Sequence, residues 1–510
     1  MKYVLVVDVG TQSMRGIIFD EQGTLIAKEQ VKYKPYLSKE NGYMEQRPDM
    51  YWEVMCRITR ALNEKHPEEM SQVLAMSVDT FRDTAVLLDE SCTPVRNAIL
   101  WSDQRTADTS KPLPIKQRVL FKLVGMDRAI RAIRSKVKTR WVQQNEPDLW
   151  AQVKHVVHIS AYLNYRLTGN LVDAYSSTIG HLPFDNKGKK WLTKGSLLYP
   201  VFDLPLELVN IPLYAPGDTM GEITAQAAAE SGIRQGLRLV ASGSDKGCET
   251  LGVGCLERNV ASISFGTSSS VQFSTKRYFE PEPFMPAYPA VMKGYYNPEV
   301  QIFRGYWMIS WFKKNFAEHL EKVAAEKGLK TEDVMNAEIA DIPAGCDGLV
   351  LQPFWQAGLT NPEARGAIIG FSDFHTRAHV YRAIIEGIDF ALREGLERME
   401  RRGKQHIDYI SVSGGGSQSD LICQIAADIF NRPIRRVQTY ETSGLGAAIV
   451  TFVACDVYPD PETAIKHMVH YTDEFTPNPD NAKVYDRIYK DIYLKLYGKL
   501  QKFYLQTDKK

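Results

Sequence analysis

The sequence predicts an α/β protein built from two large units. Two observations carry that expectation. A chain of 510 residues exceeds what one core organises, at about 150 residues per domain. A strand, a Gly-Thr turn and a returning strand also occur twice, as "VVDVGTQS" at Val6–Ser13 and "ISFGTSSS" at Ile263–Ser270. Weak similarity at that distance is what a duplicated domain leaves behind. The expected units are residues 1–248 and 249–510.

The elements follow in order. Apolar runs predict strands at Tyr3–Val7, Arg15–Asp20 and Leu25–Tyr33, with Glu21-Gln22-Gly23 as the tight turn between the last two. Asp49 to Asn63 reads as a helix capped by Asp49, because Tyr51, Val54, Met55, Ile58 and Leu62 fall on one face. Val73–Val78 and Thr84–Asp89 read as strands joined by the polar turn Asp79-Thr80-Phe81-Arg82-Asp83. The second unit opens with a strand at Val260–Phe265, and the Pro- and Tyr-rich region 275–300 reads as a long surface excursion. Tyr409–Val412 is a strand, Gly414-Gly415-Gly416 a loop, and Leu421, Ile422, Ile425, Ala426, Ile429 and Phe430 line one side of the helix that follows. After Pro477, a four-residue spacing through Val484, Ile488, Ile492, Leu496 and Leu500 predicts a helix packing back on one unit.

Composition narrows the function classes. At 44% hydrophobic, 24% charged and net charge +1, the chain has no overall polarity to attract nucleic acid or an acidic membrane. Met1-Lys2 runs straight into the first strand, without a basic leader, and no apolar span of about 18 residues follows. A cytoplasmic protein with a small-molecule partner is expected. Seven cysteines, scattered without CxxC pairs, argue for buried free thiols over a disulfide framework or a zinc site.

Four stretches could carry chemistry. The first hairpin turn matches neither GxxxxGK[ST] nor GxGxxG, and it joins strand to strand where those motifs join strand to helix. Its glycine and hydroxyls suit a phosphate, but Asp8 would repel one unless a divalent metal intervenes. Asp8 therefore points to Mg²⁺, held directly or through water, or else it merely caps a turn. The glycines 414–416, between a strand and a helix N-terminus, would let a nucleotide lie against bare backbone, or form a flexible connection. In "VASGSDKGCETLGVG", small residues surround Asp245, either to let a substrate hydroxyl reach a base or because Asp245 caps a helix. Finally Arg82 and Asp83, with Trp101 and Asp103 of "ILWSDQRT", could orient vicinal hydroxyls and stack on a polyol, or form a surface salt bridge.

Taken together these residues resemble the FGGY carbohydrate kinases, within the actin and hexokinase superfamily. "DVGTQSMRGIIFD" resembles that family's first phosphate loop, "SFGTSSS" its second and "SGGGSQSD" its adenosine loop. "SKVKTRWV" (135–142) is similar to one family signature, departing at Thr139, and "GAIIGFSDFHTRAHVYRAIIEG" (366–387) to the other, with His379, Ala383 and Glu386 at the expected spacing. The resemblance implies two ribonuclease-H-like lobes closing a cleft, the first binding sugar and phosphate and the second nucleotide. It implies ATP and Mg²⁺ as cofactors. Asp245 becomes the general base and Asp8 the metal residue. Thr11, Gln12, Ser13 and Arg15 meet the phosphates from one lobe, Gly266 and Thr267 meet them from the other, and Gly414, Gly415 and Gly416 hold the nucleotide. Arg82, Asp83, Trp101, Asp103 and Lys246 fall around the sugar or polyol. A homodimer is left open as the assembly.

The substrate is narrowed less. Arg82-Asp83 is similar to the Arg-Glu pair of glycerol kinases and autoinducer kinases, whereas xylulokinases usually carry Met-His. "FGTSSS" and "LPFDNKGKKW" look more like the xylulokinase branch, and Lys246 stands where glycerol kinases place glutamine. The expected acceptor is a linear polyol or open-chain ketose, such as xylulose. The rival from another class is an ATP-gated, actin-like binding or regulatory protein without phosphoryl transfer; a Rossmann dehydrogenase fails on the missing fingerprint.

Overall fold

The computed structural model describes residues 1–34, 37–38, 40–256, 259–358 and 361–507. The chain divides into two compact units. One comprises Met1–Gly252, Ala287–Asn297 and Glu441–Val469, the other Val253–Pro286, Pro298–Tyr440 and His470–Lys510. A single cut after residue 248 is therefore too simple, because two later segments return to the first unit.

The first unit begins β1 (Tyr3–Val9), β2 (Ser13–Asp20), β3 (Leu25–Lys32), α1 (Pro48–Lys65), β4 (Val73–Thr80), β5 (Thr219–Glu222), β6 (Arg238–Val240) and α2 (Asp245–Gly252). The second contains β7 (Val260–Phe265), β8 (Ser269–Gln272), β9 (Glu299–Ile302), α3 (Arg377–Gly403), β10 (Tyr409–Ser413), α4 (Asp420–Phe430) and β11 (Ile434–Val437). Helix α5 (Thr442–Ala454) belongs to the first unit, and β12 (Tyr471–Phe475) to the second.

Both units carry a six-stranded mixed sheet of the same plan. In the first the order is β3-β2-β1-β4-β6-β5, in the second β9-β8-β7-β10-β11-β12. Strand by strand the directions agree: the first three are antiparallel, the third, fourth and fifth parallel, and the sixth antiparallel again. The duplication hinted at by two Gly-Thr turns is thus a duplication of topology, with each turn closing the hairpin that leaves the middle of its sheet.

In the first unit β1 is buried throughout Val4–Val9, as a central strand covered on both faces must be. Helix α1 packs against β2 and β3, and Gly16 makes room for it, since a Cβ there would lie 2.5 Å from Ile58 Cγ2. Helix α5 packs against β1 and β4 and crosses α2. Gly252 and Gly446 make that crossing possible: a Cβ on either would stand 1.9 Å from a carbonyl oxygen, of Thr442 and Cys248 respectively. The two helices touch backbone to backbone, which fixes where α2 begins.

Several sequence expectations change. Asp49 is not a cap; Arg47 holds that position without a side-chain bond, and the Asp49 carboxylate accepts the Tyr162 hydroxyl and pairs with Arg166 at 3.3 Å. The strand at 73–80 and the one at Ala85–Leu88 lie in different sheets, the latter beside Ala98–Ile99 and His155–His158, so the expected polar turn shrinks to Phe81–Asp83 and carries the chain from one sheet to another. Region 275–300 is no surface excursion: Ala287, Ala290, Val291 and Met292 are buried. In the C-terminal segment a π-turn at Tyr489–Tyr493 interrupts the predicted stripe. One extra residue rotates the face, leaving Ile492 39% exposed and burying Tyr485, Tyr489 and Tyr493. All seven cysteines are free thiols. Among the described residues no helix is long and apolar enough to cross a membrane.

Candidate active site

In the first unit the β1–β2 turn is closed by Gly10 N–H donating to Ser13 O at 2.9 Å. Asp8 and Arg15 face each other across the hairpin, with Arg15 Nη1 2.8 Å from Asp8 Oδ2. Arg15 also lies 3.2 Å from Glu441, which holds Lys28 at 2.8 Å. Burial raises the Asp8 pKa and Arg15 opposes it. Of the four residues expected at the phosphates, Thr11 and Gln12 present accessible side chains. Ser13 does not, being buried with its hydroxyl accepting Gln30 Nε2 at 3.2 Å. Arg15 pairs with two carboxylates, Asp8 and Glu441, and keeps its side chain 27% exposed.

Of the residues expected at the acceptor, Arg82, Asp245 and Lys246 gather at the start of α2. Asp245 is its first residue, half-buried, and accepts the N–H of Lys246 at 2.7 Å. Its pKa is raised to about 6 by burial, against the pull of Arg82 and Lys246. The capping alternative is answered by Ser244, whose Oγ accepts Gly247 N–H at 3.3 Å. Asp245 is thereby released from the cap. Arg82 Nε donates to the same Ser244 Oγ at 3.0 Å, and the guanidinium lies 5.0 Å from the centre of the Tyr288 ring. The segment 287–297 thus completes the site. Lys246 Nζ is 2.7 Å from Glu249.

Asp83 sits in the left-handed region at φ 57°, where aspartate is tolerated better than most residues. It accepts two bonds from His181, from the backbone N–H at 2.7 Å and the ring Nδ1 at 2.7 Å. Burial works to raise its pKa, yet His181 holds the Asp83 carboxyl below the ordinary range. The indole N–H of Trp101 donates to Thr11 Oγ1 at 3.1 Å, so the stacking residue and the phosphate turn are tied together.

Asp103 is corrected. Its side chain is 0% exposed, and its carboxylate accepts Met44 N–H at 2.7 Å, Arg105 N–H at 2.9 Å and the Arg105 guanidinium. No capacity is left for substrate. Lys138 of the 135–142 signature donates to the carbonyls of Asp103 and Arg105 at 2.7 and 3.0 Å, which makes that signature the brace of the Trp101 loop. His181, Ser244, Tyr288, Glu441 and Asp79 escaped the sequence reading. The sequence places Asp79 at the start of a polar turn, whereas it lies within β4.

In the second unit β10 pairs with β7 in parallel, Ser413 opposite Ser264. The Gly266-Thr267 turn and the Gly414–Gly416 loop therefore leave adjacent strands side by side. The carbonyls of Gly266 and Thr267 accept the N–H groups of Tyr306 and Trp307 at 3.0 and 3.2 Å. Gly414 has φ +81°, and a Cβ on it would stand 2.8 Å from Phe265 O; a Cβ on Gly416 would meet the Tyr306 ring at 2.3 Å. Around Gly415 nothing lies within 4 Å. Packing explains the outer glycines but not the middle one, whose bareness suits an outside ligand.

A divalent cation suits the first unit's donor set. Asp8 and Asp245 offer hard oxygens, although among the described residues no group of three or more histidine, cysteine, aspartate or glutamate side chains is placed to hold a metal ion by itself. That pattern fits Mg²⁺, which takes one or two carboxylates and completes its shell with phosphates and water.

The comparisons with known proteins meet this geometry directly. Residues 3–252 match the N-terminal domain of the FGGY family of carbohydrate kinases, and residues 261–455 the C-terminal domain. The chain belongs to the FGGY family of carbohydrate kinases. Among curated FGGY relatives, an uncharacterised sugar kinase of Escherichia coli, YgcE, is 29% identical over 96% of this chain and 92% of that protein. A xylulose kinase of Lactococcus lactis is 30% identical over 98% of this chain and 97% of its own. The solved xylulose kinase from Rhodospirillum rubrum superposes with a TM-score of 0.82 at 23% identity, covering 99% of this chain and all (100%) of that one. Gluconate kinase from Lactobacillus acidophilus gives 0.83 at 21%, covering 99% and 100%. The fold is the two-domain actin and hexokinase type, and this FGGY protein is a carbohydrate kinase that uses ATP to phosphorylate a small sugar or polyol.

Proposed function

We propose that this kinase transfers the γ-phosphate of Mg²⁺-ATP to an open-chain ketose or linear polyol, with a ketopentose such as xylulose as the first candidate, and that Asp245 is its base. The observation that carries the reading is the Asp245 carboxyl, relieved of capping by Ser244, largely buried, and raised to about 6 by that burial beside Arg82. A carboxylate with that value is ionised near neutrality and basic enough to take a proton from an attacking alcohol.

In the reaction the acceptor oxygen attacks the γ-phosphorus, its proton passes to Asp245 Oδ, and ADP leaves. Arg82 and the Asp83–His181 pair orient neighbouring hydroxyls, and the Trp101 face covers the C–H side of the substrate. Thr11 and Gln12 donate to phosphate oxygens. Gly266, Thr267 and Gly414–Gly416 hold the nucleotide through bare backbone. Mg²⁺ would be held by Asp8 with Asp245 nearby, and when bound it supplies charge neutralisation for the transferring group. Full-length relatives named xylulose kinase, at 26–30% identity over 97–98% of this chain, favour the ketopentose over the gluconate of relatives at 23–24%.

The experiment is ADP release with xylulose, ribulose, glycerol, gluconate and hexitols under saturating Mg²⁺-ATP. Acceptor-dependent release greatest with a ketopentose supports the reading. Release indifferent to every acceptor overturns it.

A further inference from the structure

Asp79 takes no part in the mechanism above, yet it stands at its centre. It lies near the end of β4, Cα-paired in parallel with Asp8 of β1. Partners in a parallel pair send their side chains to the same face of the sheet, so the two carboxyls leave the sheet together. Thr80, the next residue, bridges to Ser244, which brings the chain leading into Asp245 to the other flank. Three acids therefore meet at one end of the first unit's sheet.

The state of Asp79 is unusual. It is 0% exposed, and neither carboxyl oxygen has a hydrogen-bond donor. Asp8 and Asp245, both of its own sign, act on it more strongly than the cation Arg15 does. The positive charge of Arg15 is already shared between Asp8 and Glu441. A buried carboxylate without a donor costs several kcal/mol on general grounds unless it meets a cation or takes up a proton, and the polar group in reach of Asp79 within the unit is the Asp8 carboxyl, another acid. The second unit, built to the same plan, places Ser413 and Ser264 at this register, so the topology itself does not require acids there. A cation arriving from outside would offset the charge of both acids.

We propose that Asp79 is a further carboxylate for the nucleotide's magnesium, accepting hydrogen bonds from its coordinated waters behind Asp8 and so setting the divalent affinity of the nucleotide complex. An indirect contact suits the reluctance of Mg²⁺ to shed its waters. The inference rests on the kinase reading and adds to it a residue for which that reading has no use.

The test is titration of Mn²⁺ into the full chain with ADP, following the EPR signal of free Mn²⁺, alongside ADP affinity in EDTA. Asp79→Asn should raise the Mn²⁺ Kd about tenfold or more, as loss of outer-shell partners does, while leaving ADP affinity in EDTA unchanged. If Asp79→Asn binds Mn²⁺ as tightly as wild type, Asp79 is instead a proton-bearing donor to Asp8, which asparagine imitates, and the proposal is overturned. Should Asp79→Asn fail to fold, Asp79→Ser, the residue type of the second unit, is read by the same criterion. A wild-type chain that binds no Mn²⁺ with ADP sinks this inference and the kinase reading together, whereas equal binding by wild type and variant sinks this inference alone.

Discussion

In the first unit Asp8, two residues ahead of its hairpin glycine, is flanked across the sheet by Arg15 and Asp79. In the second unit Ser264, two residues ahead of Gly266, is flanked by Ser270 and Ser413. One topology thus carries charge at its centre in one copy and neutral hydroxyls in the other. A buried serine is neutral whether or not its hydroxyl is satisfied: Ser413 Oγ donates to Ile263 O at 3.4 Å, while Ser270 Oγ has no hydrogen-bond partner. Buried acids are costly, and a chain that keeps them uses them. On the proposed function, the chemistry would fall to the first unit and the backbone-mediated holding of the nucleotide to the second.

The largest break in that comparison should come at Asp245. Asp245→Asn keeps the shape and removes the base, so turnover should fall by about 10²–10⁴ while ADP affinity, measured by calorimetry, stays as it was. Near-normal turnover would return Asp245 to the role of an ordinary first-turn acid and leave the first unit without its chemistry.

Arg82→Ala should raise the acceptor KM roughly 10- to 100-fold, the scale of a lost charged hydrogen bond, with little change in the KM for ATP. Steady-state kinetics with each substrate varied in turn gives the split. Equal losses on both would show that Arg82 matters for holding Ser244 and Tyr288 in place, a purely structural duty.

The pH profile sharpens the same point. Asp245 works as the carboxylate, and its value is raised to about 6. Acceptor kcat/KM should therefore fall as pH drops through about 6, about tenfold for each unit below. The stability effect has the opposite sense. A carboxyl raised in the folded state stabilises the fold at low pH, and that contribution is lost as pH rises through about 6. Asp245→Asn, neutral throughout, should accordingly melt at or above the wild-type temperature at pH 8, even as its activity collapses. An acid limb that persists in Asp245→Asn would belong to another group.

Much of this could be read from the chain alone, and the parts that could not share a cause. Local signals were legible: the Gly-Thr turns, Asp8, the three glycines and the small residues around Asp245 all announce themselves within a few positions. What stayed hidden depends on residues far apart in the chain. His181 meets Asp83 across a separation of 98 residues, Glu441 reaches Arg15 from the far end of the sequence, and Tyr288 comes to Arg82 on a segment that returns to the first unit. Asp103 misled for the same reason, because the partners that exhaust it include Met44, which lies 59 residues away. The helix after Pro477 misled through backbone geometry, since a π-turn leaves no mark in a four-residue hydrophobic spacing.

The smallest expected effect separates two neighbours in the second unit. Gly414 is held at φ +81° with Phe265 O 2.8 Å from where a Cβ would be, so Gly414→Ala should cost about 1–3 kcal/mol of stability through strain and lower the melting temperature. Gly415, with nothing within 4 Å, should accept alanine without a change in melting temperature. If its bareness serves a nucleotide lying on the backbone, Gly415→Ala should still weaken ADP binding several-fold, by steric exclusion of the ligand alone. A Gly415→Ala chain with wild-type stability and wild-type ADP affinity would move the nucleotide off this loop, and with it the claim that the second unit holds by backbone what the first unit transforms by charge.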